Sequence, residues 1–155
     1  MGRPLFSGLR ALPLSEDAGG RLWQAAEMVR EHRGDGHVAA LVVADLGAVE
    51  ANILTELWLG YAVGEYTQTR GFAAETITDA ADRLSKRGWM HAGELTPAGI
   101  AARLEIEEAT DRSQSGLVEL LGDECEFIIE RANVVSERIL AAAWFPPDPR
   151  KRAAG

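Results

Sequence analysis

G-F-A-A-E-T-I-T-D-A-A-D-R-L-S-K-R-G-W-M-H-A-G-E-L-T-P-A-G, from Gly71 to Gly99, holds three structural instructions in succession. Apolar Ile77, Ala80, Ala81 and Leu84 recur at helical spacing, so Phe72 to Arg87 is predicted as an amphipathic helix. Lys86-Arg87-Gly88 supplies a basic last turn and then a stop. Trp89 to Leu95 is short, with Ala-Gly near its middle, and reads as a tight β-hairpin. Thr96-Pro97 then gives an N-cap and a proline at the first helical position.

Helix, short hairpin, helix is the ordering of a winged helix-turn-helix. The predicted fold class is mainly α: one winged helix-turn-helix-like domain over residues 1–145, with a short hairpin wing and a long terminal helix. Outward from the hairpin, Ser15 with Glu16 and Asp17 reads as an N-cap for a helix through Leu22, Trp23, Ala26 and Val29, ending near Arg33-Gly34. The Gly-Asp-Gly at 34–36 reads as a turn in which Asp35 caps the next helix. Gly116 to Trp144 reads as one long helix, Met1 to Leu14 as an apolar N-terminal arm, and residues 146–155 as a disordered tail.

Composition narrows the function classes. Of 155 residues, 46% are hydrophobic, enough for a real core. A single cysteine, Cys125, leaves no intramolecular disulfide and no cysteine-based metal site, so a cytoplasmic location is expected. No apolar run has the length of a membrane span. The net charge of −8 disfavours adhesion to nucleic acid. The helix that would read DNA carries Glu75, Asp79 and Asp82 beside Arg83, Lys86 and Arg87, and the wing has no Arg or Lys. DNA readers place Arg, Lys, Asn or Gln against base edges and phosphates. No metal is expected, because His32 and His37 lack helical zinc spacing. No nucleophile triad, phosphate loop or dinucleotide fingerprint is present.

Asp45 interrupts an apolar run from Val38 to Leu46. Wound as a helix, it falls on the stripe of Val38, Leu41, Val42 and Val49, continued by Asn52, Ile53 and Glu56. A carboxylate there must find a partner, line a wet pocket or shift its pKa upward. A satisfied core acid, or a helix that ends near Gly47, is the plain alternative. Just upstream, Arg30, His32, Arg33, Asp35 and His37 crowd into eight residues. Trp58 and Tyr61 follow Glu56 as possible pocket walls.

Asp82, Arg83, Leu84 and Gly88, then Leu95, Thr96 and Gly99, match the pattern by which this part of the chain resembles MarR-like winged-helix regulators. The string R-E-H-R-G-D-G-H from Arg30 to His37, the Thr69-Arg-Gly71 step, Leu95–Gly99 and Glu108–Arg112 are similar to one half of a family of actinobacterial helix-turn-helix-like proteins. Within it, the chain resembles the larger subunit of the heteromeric aziridine-forming enzymes of azinomycin-type biosynthesis. That resemblance implies an amino-acid substrate on an amino-group carrier protein, in which an amine displaces a neighbouring sulfate and closes a three-membered ring without a cofactor. It also implies a second small subunit, with a homodimer through the terminal helix as the alternative.

Such chemistry needs a base for the ammonium and donors for the departing sulfate. Asp45 and Asp111 are the candidate bases, Asp111 because it follows Leu104 and Ile100 at i+7 and i+11. A helix-end cap is its plain reading. Arg30, His32, Arg33, His37 and Arg112 are the candidate oxyanion donors. Asp35, Asn52, Glu56 and Trp58 complete the candidate substrate-binding set. The competing function is a ligand-sensing regulator of transcription whose effector occupies the same pocket.

Overall fold

The structure is a computed structural model that describes residues 2–153. It comprises two compact units. One is Met1–Gly47 with Ala101–Ser115, the other Ala48–Ile100 with Gly116–Gly155.

The second unit holds the winged helix-turn-helix. Helix α3 spans Ala48–Trp58, a short 3-10 turn Thr67–Arg70, and α4 Ala74–Lys86. Ile77, Ala80, Ala81 and Leu84 are buried on α4, as their spacing requires, against a core that includes Val49, Ile53, Leu54, Tyr61 and Met90. Strands β1 (Met90–His91) and β2 (Glu94–Leu95) pair antiparallel, Met90 with Leu95 and His91 with Glu94. Only Ala92 and Gly93 remain for the turn, both at positive φ (49° and 81°), the geometry of a two-residue hairpin. Helix α5 (Pro97–Arg112) starts as read: the Thr96 hydroxyl accepts from the Gly99 N–H at 3.1 Å. Gly99 is required there, since a Cβ would lie 2.0 Å from the Trp89 carbonyl oxygen.

The expected long terminal helix is two: α6 (Ser115–Leu121) and α7 (Glu124–Ala141), divided at Gly122, whose φ is 50°. Neither buries a residue. Where the sequence suggested an irregular tail, α8 spans Pro149–Ala153, with Arg150 held by Asp148 and stacked 4.6 Å over the Tyr61 ring. Residues 154 and 155 lie outside the described residues.

In the first unit the N-terminal arm contains α1 (Pro4–Arg10), and α2 runs unbroken over Ala18–Val43. Asp17, not Ser15, is the N-cap of α2; its carboxylate accepts from the Gly20 N–H at 2.8 Å. The expected turn at 34–36 is continuous helix. Gly36 serves close approach instead: a Cβ there would meet Ser113 Oγ at 2.0 Å, so α2 comes against the end of α5 only because that side chain is missing.

Three helices end in the same motif, and one of them breaks its rule. In α3 and α4 the residue after the C-cap is Gly60 or Gly88, at φ 78° and 73°. The paired bonds are Gly60 N–H to Leu57 O and Tyr61 N–H to Glu56 O, then Gly88 N–H to Ser85 O and Trp89 N–H to Leu84 O. That is the Schellman pattern, and glycine suits its left-handed residue. Helix α2 closes identically, Asp45 N–H to Val42 O at 3.1 Å and Leu46 N–H to Leu41 O at 3.0 Å, but the left-handed residue is Asp45, at φ 55°.

Candidate functional site

Charged and hydrogen-bonding side chains concentrate where α2 faces α5 in the first unit. The pairs run antiparallel: His32 Nδ1 to Gln114 Oε1 at 2.7 Å, Arg33 to Asp111 at 3.2 Å and to Glu107 at 2.8 Å, His37 Nδ1 to Thr110 Oγ1 at 3.0 Å. Arg103 reaches the other oxygen of Glu107 at 3.5 Å. Arg33, Arg103, Glu107 and Asp111 therefore form a charge-balanced group, two guanidinia with two carboxylates. The hydrogen bond to Glu107 holds Arg33 more firmly protonated, whereas burial pulls Arg103 down, partly opposed by Glu107. Burial also lowers His37, with Arg33 and Arg103 adding to the effect and Glu107 resisting it. Lowered from an ordinary value of 6.5, His37 is mainly neutral at pH 7, so any part it takes as an oxyanion donor is that of a neutral N–H.

The tautomer of His37 follows from its partner. Thr110 is fully buried and its hydroxyl donates to the Ile106 carbonyl at 2.8 Å. With the hydroxyl proton donated there, its oxygen accepts from the imidazole, which puts the His37 proton on Nδ1 and a lone pair on Nε2.

Other expected site residues have structural employment. Asp35 is buried within α2 and accepts from the Leu5 and Phe6 N–H groups at 3.1 and 3.0 Å, so it caps α1, not the helix that carries Asp45. His32 meets the Phe6 ring edge-on, and its carbonyl accepts from Arg3. Arg30 pairs with Glu27 and Glu31 on an exposed face, and Arg112 with Glu108 at 3.8 Å, both surface pairs of small energetic weight.

Asn52, Glu56 and Trp58 belong to the second unit. The Asn52 side chain donates to the Ala48 carbonyl of its own helix, and Trp58 is half-exposed. Glu56 is fully buried, and its carboxylate accepts three backbone N–H groups, from Gly64 at 2.5 Å, Tyr66 at 3.0 Å and Thr67 at 2.9 Å. It replaces missing secondary structure in the loop between α3 and α4, a scaffold task.

Neither candidate base occupies the buried stripe on which the sequence placed it. Asp111 has 71% of its side chain exposed. Asp45 is exposed past the end of α2. Arg33 meets Asp111, and Asp45 lies twelve residues further along the chain, about 18 Å at the helical rise. The seam gathers Asp111 and leaves Asp45 at the far end. Asp45 remains notable for another reason: a left-handed conformation and a negative charge at a helix C-terminus both oppose it. Strain of that kind clusters at functional positions.

Thr110, Glu107 and Arg103 were absent from the sequence-level candidates. Their spacing on α5, at i+4 and i+7 from Arg103, places them on one face, and that periodicity was the available signal.

The face that would read DNA is poorly supplied. Arg83 is engaged by Glu50 at 2.5 Å, and Arg87 lies 4.1 Å over the Trp89 ring. Glu75, Asp79 and Asp82 are exposed on the same helix. Among the described residues no single helix is long and apolar enough to cross a membrane.

A family model described as a helix-turn-helix family matches residues 1–146. No curated protein and no solved structure matches the chain.

Proposed function

We propose a function from one premise, that the chain belongs to the helix-turn-helix family: the winged unit serves as scaffold, and the working surface is the α2–α5 seam of a biosynthetic enzyme subunit. The observation that carries this reading is the charge-balanced group of Arg33, Arg103, Glu107 and Asp111 beside a neutral His37. Such a set complements a ligand with both an ammonium and an anionic group. Guanidinium forks match sulfate oxygens, and carboxylates hold an amine.

The finer reading is ring closure by intramolecular displacement. A base removes one proton from the ammonium. The freed nitrogen pair attacks the adjacent carbon, the carbon–oxygen bond breaks, and its electrons leave with sulfate. The product is an aziridinium, which Asp111 can stabilise as positive charge develops and which then sheds a second proton. The resemblance in sequence adds a carrier-bound amino-acid substrate and a second subunit. The exposed apolar residues Phe127, Ile128, Val134 and Val135 of α7 offer a surface for that subunit.

Family membership by itself favours a different reading, a ligand-responsive DNA-binding regulator. In that case a groove of about 480 Å³ in the second unit, lined by Val63, Phe72, Ile77 and Met90 among others, would hold the effector. The two-residue wing and engaged arginines argue against it. Two assays separate the readings. Single-turnover sulfate release from an amine with a vicinal sulfate ester should occur with the chain plus its co-encoded partner, and Asp111→Asn should abolish it. Specific, salt-resistant DNA binding at nanomolar concentration would overturn the enzyme reading in favour of the regulator.

A further inference from the structure

We propose that His37 Nε2 is the group that meets the ligand's ammonium and accepts its proton, with Thr110 as the positioning residue. The inference rests on the seam being the ligand site, and it moves the base from the two aspartates to an imidazole absent from the candidate bases.

Three observations converge on it. First, with the Thr110 hydroxyl donating to Ile106, the imidazole proton belongs on Nδ1. An Nδ1–H tautomer with its other nitrogen bare is the arrangement that general-base histidines need. Second, Nε2 makes no hydrogen bond to any described residue, yet it is not among the buried side-chain atoms left without a partner. Its lone pair is therefore unclaimed by the described residues, on a side chain that is only part-buried. Third, the charged groups facing His37 are Glu107 and Arg103 on α5 and Arg33 on α2. Burial first, and then the two guanidinia, keep the imidazole unprotonated in the resting site. An anionic ligand group seated on the guanidinia offsets their charge, and the imidazole can then accept the proton at Nε2. The transfer is balanced: the ammonium loses one proton and becomes an amine with a free pair, and the imidazole becomes imidazolium. Glu107 then faces the imidazolium, and Asp111 the ring product.

The tautomer is testable on the full chain labelled with nitrogen-15 at histidine. The expected result is a neutral His37 protonated on Nδ1 at pH 7, shifting to a mixture of tautomers in Thr110→Val and returning in Thr110→Ser. Titration with 2-aminoethyl hydrogen sulfate and with ethylamine should move the Nε2 resonance. A resonance that responds to methyl sulfate alone would mark an anion seat and overturn the proposal, as would a proton on Nε2 or no response.

Turnover is read separately, with the partner present. His37→Asn keeps a donor near the Nδ1 position for Thr110 and deletes the base. It should slow single-turnover sulfate release by about 10²–10⁴-fold with an unchanged melting curve, and added imidazole should restore part of the rate. Full activity in His37→Asn would overturn the proposal. Absence of sulfate release in the unaltered protein would remove the ring-closing reading, while the tautomer and titration would still decide the role of Nε2.

Discussion

Replacing Asp45 should make the protein more stable, which is the reverse of what most substitutions do. Two terms act against the native residue. A left-handed conformation costs an L-residue about 1–2 kcal/mol, less for Asp, whose short polar side chain bonds locally. A negative charge at a helix C-terminus costs about 0.3–1 kcal/mol, at the low end for an exposed group in salt. Asp45→Gly removes both and loses about 0.5–1 kcal/mol through the greater freedom of glycine in the unfolded chain. The net expectation is a gain of at most about 0.5–1 kcal/mol, because the interaction in which Asp45 takes part offsets some of it. Asp45→Asn should gain mainly the electrostatic part. For a chain of this size each kcal/mol moves the melting temperature by about 2–4 °C. The assay is a melting curve at low and high salt: the Asn advantage should fade with salt, and the Gly advantage should persist in part. Gly60 and Gly88, in the same position on α3 and α4, are the internal reference for what this motif prefers. If both variants melt below the unaltered protein, the account of Asp45 as a strained cap is wrong. If both gain stability and keep full activity, Asp45 has no functional compensation for its strain.

Gly36→Ala should cost about 1–3 kcal/mol by forcing α2 away from Ser113, and Ser113→Gly in the same chain should restore most of it, read by denaturant unfolding. Glu56→Gln should cost about 3 kcal/mol or more, because an amide cannot accept from the Gly64, Tyr66 and Thr67 N–H groups together; loss of near-ultraviolet dichroism on mild heating checks it. The depressed pKa of His37 means that the unfolded chain binds its proton more readily than the folded one. Stability from this residue is therefore present above the ordinary histidine value of 6.5 and declines as pH falls through it toward the lower folded value. His37→Asn should flatten that part of a stability–pH curve.

Local signals sufficed to read α4, the hairpin and the Thr96-Pro97 start of α5, because each depends on neighbours in the chain. What failed depended on residues far away. Gly34-Asp35-Gly36 has the composition of a turn, and nothing nearby reveals that Gly36 is small to admit Ser113, or that Asp35 serves the distant α1. The Asp45 stripe was drawn past a helix end because the end lacks the glycine that normally marks it. Glu56 was grouped with the site for being buried and charged. Burial was right, but its partners are the backbone of the following loop. On α5 the opposite happened: Arg103, Glu107 and Thr110 are spaced to share a face, yet they are ordinary surface types until α2 is brought against them.

The hairpin tip has a practical use beyond its bearing on DNA. Ala92 and Gly93 are exposed, and no atom lies within 4 Å of where a Cβ on Gly93 would be. Its strands are only two residues each, so little cooperative structure depends on how the tip is closed. An inserted peptide would extend into open space while the Thr96 cap and the Gly99 contact with Trp89 hold the base of the hairpin. The tip is thus a natural port for an affinity epitope or a fluorophore. Grafting a longer basic loop at the same place would ask whether DNA affinity can be given to this scaffold by one insertion.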